Sequence, residues 1–201
     1  MVDDTTTSNQ DVTTRIARRV KTLRTGQGLT LDTLAAACSV SSSMLSLIER
    51  GESSPTAVVL EKIATGLGVS LASLFDDSTT PVDPISRLTD RVLWRDPQSG
   101  YLRRNISPAN FPSPIQIVEV IFPAGAVVAY ETGARNVTIH QQIWVQEGAI
   151  EITVGKATYH LGEGDCFAMQ LNEPTTFRNH TNADARYFVI LVTEHLRGAR
   201  R

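Results

Sequence analysis

The sequence is poor in cysteine: Cys38 and Cys166 are the only two in 201 residues, far apart and without metal-ligand spacing. That argues against a disulfide framework and a zinc module, and predicts that both thiols are small buried hydrophobes. Neither sign of charge is in excess, with 19 Lys and Arg against 21 Asp and Glu and a net charge of −2. So balanced a chain has no general attraction to polyanions or anionic lipid, and any nucleic-acid surface must be local. Long apolar runs are missing too. The longest, "IVEVIFPAGAVVAY", is broken by Glu119, Pro123 and Gly125 and is too short to span a bilayer. The opening "MVDDTTTSNQD" has neither the basic start nor the apolar centre of a signal peptide. Together these absences predict a cytoplasmic protein with no membrane partner.

What is present changes character near residue 76. Before it, apolar residues recur at helical spacing: Ile16, Val20 and Leu23, then Leu34 and Ala35, then Leu45 and Ile48, then Leu60, Ile63 and Leu67. After it, β-branched and aromatic runs ("IQIVEVIF", "IEITV", "RYFVILV") alternate with turn signals, as in a sandwich or barrel. The pattern divides the chain into a disordered N-terminus (1–12), a helical domain (13–76), an acidic, proline-bearing linker (77–84), a β domain (85–194) and a basic tail (195–201).

Within the helical half, Thr30 is placed to cap a helix whose first turn carries Asp32, and Ser41 to cap a second one running to about Arg50. Two short helices joined by a tight turn make a helix-turn-helix. A further helix is expected after Pro55, stopped by Gly66 and Gly68, and "SLASLF" adds a fifth short one.

On Leu34-Ala35, Val40-Ser41, Leu45 and "IERGESSPT", the segment from about Thr13 to Phe75 resembles the five-helix, lambda-repressor-like DNA-binding domain of the Cro and phage-repressor (XRE) family. The resemblance implies double-stranded DNA as partner, read as a pseudo-palindromic operator by a homodimer whose half-sites lie about 34 Å apart. It implies a DNA-facing set of Thr30, Thr33, Ser41, Ser42, Ser43, Ser46, Leu47 and Arg50, and an ion pair of Arg24 with Glu49. Residues 13–75 carry Arg15, Arg18, Arg19, Lys21, Arg24, Arg50 and Lys62 against Asp32, Glu49, Glu52 and Glu61, a surplus of the sign DNA requires. Serine hydroxyls both donate and accept, so they discriminate bases poorly; direct readout is expected to be weak and DNA shape to contribute. Leu31 stands where the family tends to have a phosphate-binding glutamine.

The second half, through "WRDPQSGYLRR", "IWVQEGAIEITVGKATYHLGEGD" and "FRN", resembles a cupin, a double-stranded β-helix barrel, in the version fused behind helix-turn-helix domains. Aligned on the metal-bearing cupin motifs, Gln141 falls at the glutamate position and Thr175 at the second-motif histidine, and no histidine precedes Gln141 at the required place. An amide and a hydroxyl are weak ligands for iron, manganese or zinc. His140 is adjacent to Gln141 and, by strand alternation, points out of the barrel. No metal, no cofactor and no catalytic residue is therefore expected, and His160, His180 and His195 read as surface residues. A metal-free barrel still offers a concave interior, with Tyr130, Gln141, Ile143, Thr175 and Phe177 as the candidate lining for an unknown small-molecule effector. The resulting expectation is a ligand-responsive, DNA-binding transcription regulator. The alternative is a metalloenzyme of the epoxidase or dioxygenase type with the same order of domains, which the missing ligands disfavour.

Overall fold

The computed structural model describes residues 4–76, 82–131 and 137–195. Four α-helices come first: α1 (Asp4–Gly26), α2 (Leu31–Cys38), α3 (Ser42–Glu49) and α4 (Ala57–Leu67). Each later start is set by a hydroxyl that satisfies an orphan N–H. Thr30 accepts from the Thr33 amide at 3.1 Å, Ser41 from Met44 at 3.2 Å and Thr56 from Val59 at 3.3 Å. Ser39 ends α2 in the left-handed region at φ 54°, and Gly68 ends α4 at φ 66°. Val12, Ile16, Val20, Leu34, Leu45, Ile48, Leu60 and Ile63 form the buried seam of this half.

Three expectations change here. The segment expected to be disordered is helical from Asp4 onward, and Val12 at its end is buried in the seam; residues 1–3 lie outside the described residues. The fifth helix is a 3-10 turn, Leu71–Phe75, because five residues cannot complete an α-helical hydrogen-bond ladder. Gly66 lies inside α4 rather than ending it: a Cβ there would sit 2.8 Å from Cys38 Cβ, so this glycine lets α2 and α4 approach closely.

A second 3-10 turn, Leu88–Asp90, leads into ten strands: β1 (Trp94–Arg95), β2 (Leu102–Asn105), β3 (Ile115–Phe122), β4 (Val127–Tyr130), β5 (Val137–Glu147), β6 (Ile150–Val154), β7 (Ala157–Leu161), β8 (Cys166–Gln170), β9 (Thr175–Arg178) and β10 (Ala185–His195). They form a six-stranded sheet, β1-β2-β3-β10-β5-β8, and a four-stranded sheet, β4-β9-β6-β7, all pairs antiparallel. Phe122, Ile139, Ile143, Val145, Ile152, Phe177 and Val189 fill the space between the sheets. Along β5 burial alternates: Gln141, Ile143 and Val145 are buried while His140, Gln142 and Trp144 are exposed. Cys38 is buried, but Cys166 is exposed, against expectation, because strand alternation places it on the outer face of its sheet, opposite Trp144. Residues 77–81 of the expected linker and 196–201 of the tail lie outside the described residues. Among those described, no single helix is long and apolar enough to cross a membrane.

The helical half rests on the barrel through α4 and the 3-10 turn after it. Asp96 Oδ1 accepts from the Ala57 amide at 2.8 Å, which adds a carboxylate from the β half to the N-terminus of α4. Ser70 Oγ donates to Gln116 Oε1 at 2.5 Å, and Asn105 Nδ2 donates to the Ala72 carbonyl at 2.9 Å. The Phe75 ring meets Trp94 edge-on at 5.3 Å.

Candidate nucleic-acid interface and barrel cavity

Between α2 and α3 the chain turns through 112°. Thr30, Thr33, Ser41, Ser43 and Arg50 are exposed around this turn and along α3, whereas Ser42, Ser46 and Leu47 are half-buried. The hydroxyls are paired among themselves, Thr30 with Thr33 at 2.8 Å and Ser41 with Ser43 at 3.1 Å. Arg50 is held side-on by Glu52, with Nε–Oε1 and Nη2–Oε2 both 2.8 Å, and its Nη1 donates to Ser46 Oγ. That pairing keeps the guanidinium charged, raising its pKa, and holds the Glu52 carboxyl below its ordinary range. Two residues of this surface had escaped sequence reasoning. Met44 lies 37% exposed on α3, and Glu52 competes for the cation that a phosphate would use.

Arg24 ties α1 to the end of α3. Its Nε donates to Glu49 Oε1 at 2.6 Å, its Nη2 to Oε2 at 2.8 Å, and its Nη1 to the Leu29 carbonyl at 2.7 Å. With side chains 13% and 7% exposed, the pair is largely desolvated, and the Glu49 hydrogen bond is the main cause of the raised Arg24 pKa.

The barrel contains a cavity of about 70 Å³ at the end that faces the helical half. Tyr130, Gln141, Thr175 and Phe177 line it; Ile143, also expected there, does not and is fully buried in the core deeper along the strand. Tyr101, Arg103 and Tyr187 line it as well, and Glu61, Ser70 and Leu71 of the helical half complete the wall. Sequence reasoning missed all six. The available signal was "YLRR", in which alternation puts Tyr101 and Arg103 on one face. Tyr101 and Tyr130 hydroxyl oxygens lie 3.3 Å apart, and Thr175 Oγ1 donates to the Glu173 carbonyl at 3.0 Å. Burial pushes the Tyr101 phenol up and the Tyr130 and Tyr187 phenols well up, so all three remain neutral donors.

At the two aligned cupin ligand positions of this lining stand the Gln141 amide and the Thr175 hydroxyl, which are weak ligands for a transition metal. Among the described residues no group of three or more His, Cys, Asp or Glu could hold an ion. His140 is on the outer face, 3.7 Å from Glu194, and His160 and His180 flank Glu151 at 3.6 and 3.1 Å, outside the cavity. Asn179, the last residue of "FRN", is consumed by structure: its amide donates to the Phe122 and Ala183 carbonyls and accepts from Thr181.

Comparison with known proteins agrees with this arrangement. Residues 20–74 match the Helix-turn-helix family and residues 119–191 the Cupin domain family. The chain is 46% identical over 159 residues to the HTH-type transcriptional regulator SutR of Escherichia coli K12, covering 76% of this chain and 82% of SutR. It is 25% identical over 163 residues to the regulator PuuR of the same organism, covering 81% and 86%. An HTH_3 family transcriptional regulator from Vibrio cholerae superposes with a TM-score of 0.74 at 26% identity, over 92% of this chain and 98% of that one. The chain thus belongs to the helix-turn-helix transcriptional regulators that carry a cupin domain behind a DNA-binding bundle, and it is itself a DNA-binding transcription regulator.

Proposed function

We propose that the protein binds a pseudo-palindromic operator as a homodimer in the cytoplasm, and that its barrel takes a small-molecule effector without metal, cofactor or catalysis. The working division is a lambda-repressor-like bundle at 4–76, extended at its N-terminus by the first turns of α1 and with its fifth helix reduced to a 3-10 turn, and a double-stranded β-helix barrel at 85–194. In this reading α3 enters the major groove, Thr30, Thr33, Ser41, Ser43 and Arg50 meet phosphates, and Ser42, Ser46 and Leu47 face base edges. Met44 joins Leu47 as an apolar contact for thymine methyl groups. The observation that carries the effector reading is the composition of the cavity wall: Glu61, Ser70 and Leu71 come from the helical half and Tyr130 and Gln141 from the barrel. A molecule lodged there touches both halves, so its affinity depends on how they are docked, which is what a ligand-driven change in DNA binding requires. The metalloenzyme alternative loses support from Gln141 and Thr175, whose donors are wrong for a redox metal.

Fluorescence anisotropy of the full chain on its own upstream region, repeated over a salt series, tests the DNA assignment. Affinity should fall steeply as salt rises and exceed that for a scrambled duplex. Equal affinity for both duplexes at all salt concentrations would overturn it. Stoichiometric iron in protein purified without chelator, with oxygen uptake, would restore the enzyme.

A further inference from the structure

We infer that the barrel cavity is a binding site for a small monoanion, a carboxylate or a sulfonate, gripped side-on by Arg103. The inference rests on the effector reading above and gives that effector its chemistry.

Arg103 lies on β2, paired in register with Val120 of β3 and Trp94 of β1, and is 6% exposed. Its guanidinium lies over the Phe75 ring, 5.1 Å from the centroid. Nε and Nη2 are buried and have no hydrogen-bond acceptor among the described residues. Burying a cation with donors unmade is among the costlier arrangements in a fold, and stacking on one ring offsets only part of that cost. The neighbouring Arg104 shows the contrast: alternation turns it to the other face, where its Nη2 meets Glu119 Oε2 at 2.5 Å.

The identity of the two open donors specifies the ligand. Nε–H and Nη2–H form one edge of the guanidinium, and they point in parallel at a spacing that matches two oxygens of one acid group. Among the described residues this edge meets both oxygens of one carboxylate at Arg24 on Glu49, 2.6 and 2.8 Å, and at Arg50 on Glu52, 2.8 and 2.8 Å, and one oxygen of Glu119 at Arg104. Arg103 lines the cavity with that edge unbonded: the half-buried Asp76 carboxylate acts on it only through space, and no acid group of the described residues meets the two donors, so the inferred one comes from a ligand. Tyr101, Tyr130 and Tyr187 line the same space with hydroxyls that burial keeps protonated; one proton is shared between Tyr101 and Tyr130, and the others are further donors for an anion. Val120, Phe122 and Val128 provide the apolar remainder of the wall.

Size and charge narrow the choice. A cavity of about 70 Å³ holds on the order of five water-sized groups, enough for an acid group with a short apolar tail. Glu131 is at the rim, 80% exposed and paired with Lys62 at 2.9 Å. A single guanidinium edge balances one negative charge, and a second charge on the ligand would be buried without a cation to meet it, which selects monoanions over dianions.

The test is a thermal-shift titration of the full chain through the millimolar range with sodium acetate, sodium propionate, sodium methanesulfonate, acetamide and ethylammonium chloride. Wild type should show a saturable rise in melting temperature with the monoanions, above the linear salt effect, and none with acetamide or ethylammonium. Comparison of propionate with methanesulfonate identifies which acid group the site prefers. Arg103→Lys, which keeps the charge but loses the fork, should weaken the saturable response at least about tenfold, and Arg103→Met should abolish it. Should Arg103→Met fail to fold, Arg103→Lys alone decides. Saturation by monoanions that is unchanged in Arg103→Lys overturns the inference. Saturation by acetamide or ethylammonium but not by the monoanions overturns it too and leaves the effector reading standing. No saturable response to any probe overturns both.

Discussion

Arg24, Arg50 and Arg103 present the same guanidinium edge in three surroundings, and the surroundings decide what each contributes. Arg24 and Glu49 are mostly out of water, so removing one partner strands the other. Arg24→Met should cost roughly 2 to 4 kcal/mol in urea unfolding of the full chain, somewhat below the range for fully buried pairs. Replacing both residues with methionine should return most of that loss, since no unpaired charge remains. Arg50 and Glu52 are at the surface, where pairing adds little to folding but occupies the one basic side chain at the end of α3. Glu52→Gln should therefore leave unfolding unchanged, tighten operator binding severalfold and steepen the salt dependence of log affinity by about one. An unchanged salt slope, measured by anisotropy, would show that Arg50 does not meet phosphate.

At the scale of the element, the helical half depends on how closely α2 and α4 approach. Gly66→Ala gains about 1 kcal/mol of helix propensity but places a methyl 2.8 Å from Cys38 Cβ and 3.2 Å from Leu34 Cδ1. Overpacking of that kind costs about 1 to 3 kcal/mol, so the net effect is a loss of up to about 2 kcal/mol, measurable by urea unfolding. Gly26→Ala, at the end of α1 with nothing within 4 Å of the added carbon, serves as a neutral control. The same glycine shows where sequence reading stops. The caps at Thr30 and Ser41 are legible because a hydroxyl and the amide it satisfies are three residues apart. Gly66 is ambiguous locally, since a glycine near a helix end reads as a stop and only its distance to Cys38 reveals a close approach. Alternation along β5 identifies Gln141 and Ile143 as inward, but a period of two cannot tell cavity from core; the cavity lies toward the helical half, which admits Gln141 and excludes Ile143. Arg103 is harder still. One of two adjacent arginines must point inward, yet only Phe75, brought over it from the other half of the chain, shows where its guanidinium lies.

At the scale of the whole molecule, the question is whether the two halves behave as one body. Asp96 is the joint to test. It is 2% exposed, and its carboxylate accepts from the Ala57 amide at 2.8 Å, the Ser99 amide at 2.7 Å and Ser99 Oγ at 2.6 Å. One residue thus holds the hairpin before β2 in shape and supplements Thr56 at the N-terminus of α4. Asp96→Ala leaves the buried Ala57 amide and the half-buried Ser99 amide and hydroxyl without their acceptor, at a cost of roughly 2 to 5 kcal/mol from penalties of about 1 to 3 each, partly relieved by water at Ser99. Because the lost bonds span both halves, the loss falls on their coupling as well as on their stability. Wild type should unfold in one calorimetric transition, and Asp96→Ala in two, with the helical half melting first because its smaller core no longer borrows from the barrel. The exposed face of α3 carries none of these bonds, so operator affinity well below the first transition should stay within about twofold of wild type. A single transition in Asp96→Ala would place the coupling elsewhere, in the Phe75, Trp94 and Arg103 stack, and the corresponding Phe75→Ala variant would then have to produce the split instead.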